Sequence, residues 1–273
     1  MALKNERILD SCKMDDASIE IVQMEQLNGA NSGAMSQYLY FMNQVNAKMK
    51  FVRIKLNGGT VKTESGALYY SKGRIENKVD VGGVGGMIGK VVKSKLTNEK
   101  AFNPEYTGHG EIVLEPTFGH YALIQLENES IIVDKGVYYC SIGKIDTSIS
   151  MQKNFSSAIA GGEGLFQTKI TGTGWVVLSI PVPLDELEMY QLNEERVQVD
   201  GNFAILRSDS IRFSVTGSAK GLIGTMTSGE GLLQTFEGTG MVWLVPTAPM
   251  YDRLMYEGMY RQTTSTGHMN NRQ

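Results

Sequence analysis

The densest cluster of residues suited to chemistry is Gly82-Gly83-Val84-Gly85-Gly86 with Lys90 close behind. Such loops cradle phosphates when backbone N–H groups converge and a lysine reaches the outer phosphate. The spacing fits neither known pattern. A Walker loop needs glycine at Val84 and Ser or Thr at Val91. A dinucleotide fingerprint needs its third glycine at Ile88 and a βαβ unit to carry it. The segment therefore reads as an insertion loop. Gly82/Gly86 and Gly85/Gly89 have helix-packing spacing, but the apolar run Val81 to Val92 contains Lys90 and is too short to span a bilayer.

Metal or imidazole chemistry is limited by three histidines, His109, His120 and His268. His109 sits among glycines and His268 near the C-terminus, so convergence with a carboxylate, as in cupin sites, is not expected. The same scarcity disfavours Ser-His-Asp and Cys-His nucleophiles. Cys140 falls on an expected strand, as an inert buried thiol. Glu99, Glu163 and Glu230 occupy matching places, where a carboxylate caps backbone N–H groups of a turn. Trp175 and Trp243 follow aligned glycines by one and three residues, hence on one strand face, and read as packing residues. Lys90, Lys93, Lys95 and Lys100 form a basic cluster without interleaved aromatics, which reads as a solvated surface. No residue is assigned as catalytic, cofactor-binding or metal-binding, and no cofactor is expected.

The elements that carry these residues are legible through repetition. Thr107-Gly108-His109-Gly110 recurs as Thr171-Gly172-Thr173-Gly174 and as Glu237-Gly238-Thr239-Gly240, spaced by 64 and 66 residues. Gly162-Glu163-Gly164-Leu165 recurs as Gly229-Glu230-Gly231-Leu232. Leu56, Leu126 and Leu192 hold one place in their copies, and Gly66 matches Gly136 at an offset of 70. The drop from 70 to 64 places an insertion in the first copy, at the Gly82 loop. Fixed-period similarity means one supersecondary unit used repeatedly. Phe51 to Leu56, Tyr121 to Leu126, Ile131 to Val133 and Trp175 to Ile180 are rich in β-branched and aromatic residues, and Pro116, Pro181 and Pro246 stop strands. The Gly-x-Gly pairs read as tight turns between strands.

The expected fold is all-β: three tandem sandwich-like or short double-stranded β-helix repeats, with an N-terminal helix and a short C-terminal helix or tail. The expected divisions are 1–48 (N-terminal extension), 49–116, 117–181 and 182–248 (β repeats) and 249–273 (tail). Ser18 to Met24 reads as a strand, and Gln37 to Met49 as a helix with Tyr40, Phe41, Val45 and Met49 on one face. Met250-Tyr251, Met255-Tyr256 and Met259-Tyr260 form a stripe on a second short helix, before a polar tail beyond Arg261.

Composition narrows the setting. Hydrophobic content of 41% and charged content of 20% suit a globular protein. A net charge of −3 gives no global attraction to nucleic acid or anionic lipid. No apolar run reaches the roughly 20 residues of a spanning helix, and the first residues lack a secretory pattern. Two cysteines, Cys12 and Cys140, read as free thiols in a reducing, cytoplasmic setting.

Taken together, Gly161-Gly162-Glu163-Gly164-Leu165-Phe166, Gly172-Thr173-Gly174-Trp175, Val133-Asp134, Val199-Asp200-Gly201 and Gly229-Glu230-Gly231-Leu232 resemble bacterial members of the mitochondrial-biogenesis "altered inheritance of mitochondria" family. The resemblance covers Met49 to Pro246. It implies three repeats, each like the β domain of the tryptophan RNA-binding attenuator protein, and rings in which three chains contribute nine units. It carries over no catalytic or ligand residue. Eukaryotic relatives are linked to mitochondrial inner-membrane organisation. The N-terminal helix region and the Met-Tyr tail depart from the shorter family pattern.

The functional expectation is a non-enzymatic, cytoplasmic scaffold or binding protein that forms a homo-oligomer, a trimer by preference, because an arc of repeats leaves strand edges for a ring to cover. A protein partner fits this reading and nucleic acid does not. The alternatives are an RNA-binding ring, by fold analogy with the attenuator protein, and a small-ligand or cupin-like protein. Surface membrane association through the Met-Tyr tail is a further option.

Overall fold

The computed structural model describes residues 5–78, 103–151, 166–217 and 232–257. The Gly82 loop, Lys90 to Lys100, Glu99, Glu163, Glu230, His268, Met259-Tyr260 and the polar tail lie outside the described residues.

Strands dominate, in one large antiparallel sheet. An N-terminal hairpin, β1 (Glu6–Lys13) and β2 (Ala17–Met24), leads into helix α1 (Gly33–Gln44). Then come β3 (Lys50–Thr63), β4 (Leu68–Asn77) and β5 (Glu105–Leu114). β6 (His120–Asp134), β7 (Tyr138–Met151) and β8 (Phe166–Ile180) follow. The last group is β9 (Glu188–Asp200), β10 (Ala204–Ser208), β11 (Arg212–Gly217) and β12 (Leu232–Leu244), and α2 (Ala248–Glu257) closes the described chain. Within each group the last strand pairs with those before it: β5 with β3 and β4, β8 with β6 and β7, β12 with β9, β10 and β11. Leu56, Leu126 and Leu192 lie opposite Gly110, Gly174 and Gly240 in these ladders, and all three leucines are buried.

The Gly-x-Gly pairs are not turns, contrary to the sequence expectation. They lie inside continuous strands, where the backbone bends and a neighbour passes close by. Gly172 has φ +138°, and a Cβ there would overlap the Lys144 carbonyl oxygen. Glycine is required by that approach as well as by the torsion. Each ladder also shifts register there, at Asn57/Thr60, Glu127/Glu129 and Gly238/Gly240, so the strands kink as bulged strands do.

Neighbouring groups join edge to edge with one repeated register. Val61 pairs with Ile142 and Thr63 with Cys140; Ile131 pairs with Ser208 and Val133 with Leu206. The core follows these seams. One cluster joins Ile19, Ile54, Leu56 and Ile112 to Tyr121, Tyr139, Cys140 and Val177. A second joins Leu126, Val133 and Val176 to Leu206 and Trp243.

Two outer elements differ from expectation. β1 was not foreseen, because most of its side chains face solvent and its ladder to β2 supplies the strand. Helix α1 starts and ends earlier than Gln37 to Met49. Ser32 caps it by accepting from the Met35 N–H at 3.2 Å, and it buries no residue, with Tyr38 and Phe41 exposed at 70% and 64%.

Candidate functional site

The seam between the first two groups is filled by the chain itself. β2 pairs along the first half of β3, from Ala17 opposite Leu56 to Gln23 opposite Lys50. The turn before β2 reaches the bend of β3, where the Asn57 N–H donates to the Asp16 carbonyl at 2.8 Å. A Cβ on Gly59 would lie 2.5 Å from that same oxygen, and one on Gly143 would lie 3.3 Å from Met14 Cε. Cys12, Ala17, Ile19 and Ile21 thereby close the first cluster, and Ile54 is fully buried.

The next seam has the same register and a different filling. Offsets of 70 on β6 and 66 on the third group carry Ile54 to Ile124, Gly59 to Glu129, Gly143 to Asp209 and Trp175 to Met241. There a groove of about 260 Å³ lies between β6 and the β10–β11 corner, with Ile124, Leu126 and Met241 on its apolar side and Glu129, Ser208 and Asp209 on its polar side. No strand pairs with the first half of β6 on the side opposite β8 among the described residues. Ile124 is only half-buried. Asp209 is held by Lys169 at 2.7 Å, whereas Glu127 and Glu129 are exposed and in no ion pair among the described residues. Met241 N–H donates to Ser208 Oγ at 2.9 Å and Ser210 Oγ to the Thr239 carbonyl at 2.8 Å, so the corner is held by its own bonds.

Two further edges are open among the described residues, where β4 pairs only with β5, and β9 only with β12. Tyr69 and Tyr70 are 57% and 48% exposed on β4, while their counterparts Tyr139 and Cys140, and Ile205 and Leu206, are buried inside the array. On β9, Met189 and Tyr190 are 59% and 41% exposed.

A polar seam runs along the starts of the strand groups. Lys50, His120 and Glu186 stand six residues before Leu56, Leu126 and Leu192. Lys50 Nζ donates to the Gly119 carbonyl at 3.2 Å. Burial, then the charge of Lys50, hold His120 below its ordinary range, against the opposing pull of Glu186 and Asp185. Glu186 accepts hydrogen bonds from Thr247 and from Tyr251 Oη, the latter at 2.7 Å, which ties α2 to this seam.

The sequence-level candidates are scattered. His109 is exposed beside Asn57, 3.3 Å from its Oδ1, whereas His120 is half-buried at the start of β6. Among the described residues no three His, Cys, Asp or Glu side chains are placed to hold a metal ion. Cys12 and Cys140 are free and buried; burial pushes the Cys12 thiol up to about 11 and raises that of Cys140 further. Trp243 is buried and Trp175 packs against the first cluster, as packing residues should. No helix among the described residues is long and apolar enough to cross a membrane. The sequence reading expects open strand edges but not the groove, whose one signal there is the replacement of Gly59 and Gly143 by Glu129 and Asp209 in otherwise matching copies.

A single antiparallel sheet of kinked strands, joined group to group and flanked by two helices, defines an all-β class of protein. The profile of the mitochondrial biogenesis AIM24 family matches residues 42–247, and the chain belongs to that family. Its fold is similar to the crystal structure of protein SPYM3_0169 from Streptococcus pyogenes, with a TM-score of 0.57, 19% identity, and coverage of 76% of this chain and 94% of that one. Among curated proteins none matches the chain.

Proposed function

We propose that the protein is a non-enzymatic, cytoplasmic scaffold or binding protein, whose three β units extend across copies into a closed homotrimeric ring. The supporting observation is the repeated seam register. Val61 opposite Ile142 becomes Ile131 opposite Ser208 one group later. One further step sets Val197 of one copy opposite Lys72 of the next, and Val199 opposite Tyr70. Among the described residues both strands have a free edge for this pairing; β4 carries exposed Tyr69 and Tyr70 where interior counterparts are buried, and β9 carries exposed Met189 and Tyr190. Long exposed edges are otherwise aggregation sites, and closure removes them.

Light scattering on the purified chain tests the reading. The expected mass is three times 30.0 kDa. Tyr70→Asp places a charge in the proposed seam at a residue that is exposed in the single chain, so it dissociates the assembly while leaving circular dichroism unchanged. A wild-type chain that runs as a monomer at micromolar concentration refutes ring closure.

A further inference from the structure

β2 on β3 is a template for what the half of β6 left unpaired among the described residues can take. The ladder from Ala17 opposite Leu56 to Gln23 opposite Lys50 maps onto the stretch from Leu126 back to His120. The Asn57 N–H that receives Asp16 corresponds to that of Glu127, and in antiparallel alternation Gln125 points the same way. Ile54, fully buried beneath β2, corresponds to the half-buried Ile124. The groove beside Ile124 matches the space that Met14 and Asp16 fill at the first seam.

We propose that this edge and groove bind an extended segment of a partner polypeptide, which adds a strand to β6 and sets a basic residue against Glu127 and Glu129. Backbone pairing supplies the mode of binding, and alternate apolar side chains on Ile124 and Leu126 supply its grip. Charge selects the occupant. At the first seam the chain's own turn carries Asp15 and Asp16, and it meets the neutral Asn57, Gly59 and Gly143. At the second seam the matching positions are Glu127, Glu129 and Asp209, of which only Asp209 is in an ion pair among the described residues, with Lys169. The hairpin of a second copy would press two aspartates against these carboxylates. A segment with lysine or arginine there meets complementary charge. The inference does not depend on ring closure, since the edge lies inside one chain.

Two labelled peptides test it by fluorescence anisotropy on the full chain. One has the sequence from Met14 to Met24; the other carries Asp15→Lys and Asp16→Lys. The lysine peptide is expected to bind saturably and about tenfold more tightly than the native sequence at low salt. Glu129→Lys, an exposed change, should cancel that preference. Gln125→Pro removes an edge N–H that no strand uses among the described residues and should weaken both peptides. Absence of saturable binding by the lysine peptide overturns the proposal. So does binding insensitive to both variants, which would place the peptide elsewhere, for instance on β3 in exchange for β2. Tighter binding of the native peptide would seat a second copy's hairpin on β6 and also overturn it.

Discussion

The two internal seams share one backbone register and differ in what covers them. At the first, β2 roofs β3 and the Met14–Asp16 turn fills the bend, so Ile54 is fully buried. At the second, no strand pairs with that half of β6 among the described residues and a groove stays open beside Ile124. Backbone pairing therefore sets where strand groups meet, and side-chain cover sets how firmly each meeting is sealed. A sealed seam serves stability; an open one leaves surface for recognition.

The sharpest break in this comparison is at the bend glycines. At Gly172 a Cβ would overlap the Lys144 carbonyl oxygen, whereas at Gly238 the nearest atom, the Ser210 carbonyl oxygen, is 3.5 Å away. Both have φ in the region that disfavours side chains, +138° and +133°. Gly172→Ala therefore adds a backbone clash to the torsional penalty and should cost about 4 kcal/mol or more, against about 1–2 kcal/mol for Gly238→Ala. Urea denaturation of the two variants measures the difference. Equal losses would mean that the bend tolerates displacement in both groups.

The roof itself is tested by matched truncations. Ile54→Ala empties a site enclosed by β2 and should cost about 3–4 kcal/mol, while Ile124→Ala, at a half-buried site, should cost about 1–2 kcal/mol. Equal denaturation midpoints would show that the second seam is as closed as the first.

Much of this pattern is legible in the sequence, because it rests on local residue types. The recurring Leu56, Leu126 and Leu192, the β-branched runs and the proline stops mark buried strands, and each of those leucines is buried opposite a glycine. The role of the Gly-x-Gly pairs was misjudged, since a hairpin turn and a mid-strand bend ask the same residue for different reasons. Only the identity of the passing strand, Lys144 beside Gly172 for example, separates them. β1 was invisible because it is stabilised by its ladder to β2 and buries little beyond Cys12. The groove brings together residues more than a hundred positions apart, such as Ile124 and Met241, which no local pattern encodes.

The smallest expected effect concerns the seam where the starts of the groups converge. His120 has burial and Lys50 acting together to lower its proton affinity, with Glu186 and Asp185 opposing them. The unfolded chain then binds a proton near the ordinary value of 6.5, and the folded chain only at lower pH. Stability from this group is complete above that value and is lost as pH falls towards the folded one, because the unfolded state takes up protons first. Asp134, whose carboxyl is raised by burial, acts with the opposite sign, so the reading must come from a difference between variants. Denaturation midpoints of wild type and His120→Asn, followed from pH 7.5 down to about 5, should converge as pH falls. Lys50→Met removes the charge that assists burial and should reduce the convergence without abolishing it, since burial is the larger cause. Parallel curves would show that His120 titrates as freely in the folded chain as in the unfolded one, and that the seam is as open to water as the groove beside β6.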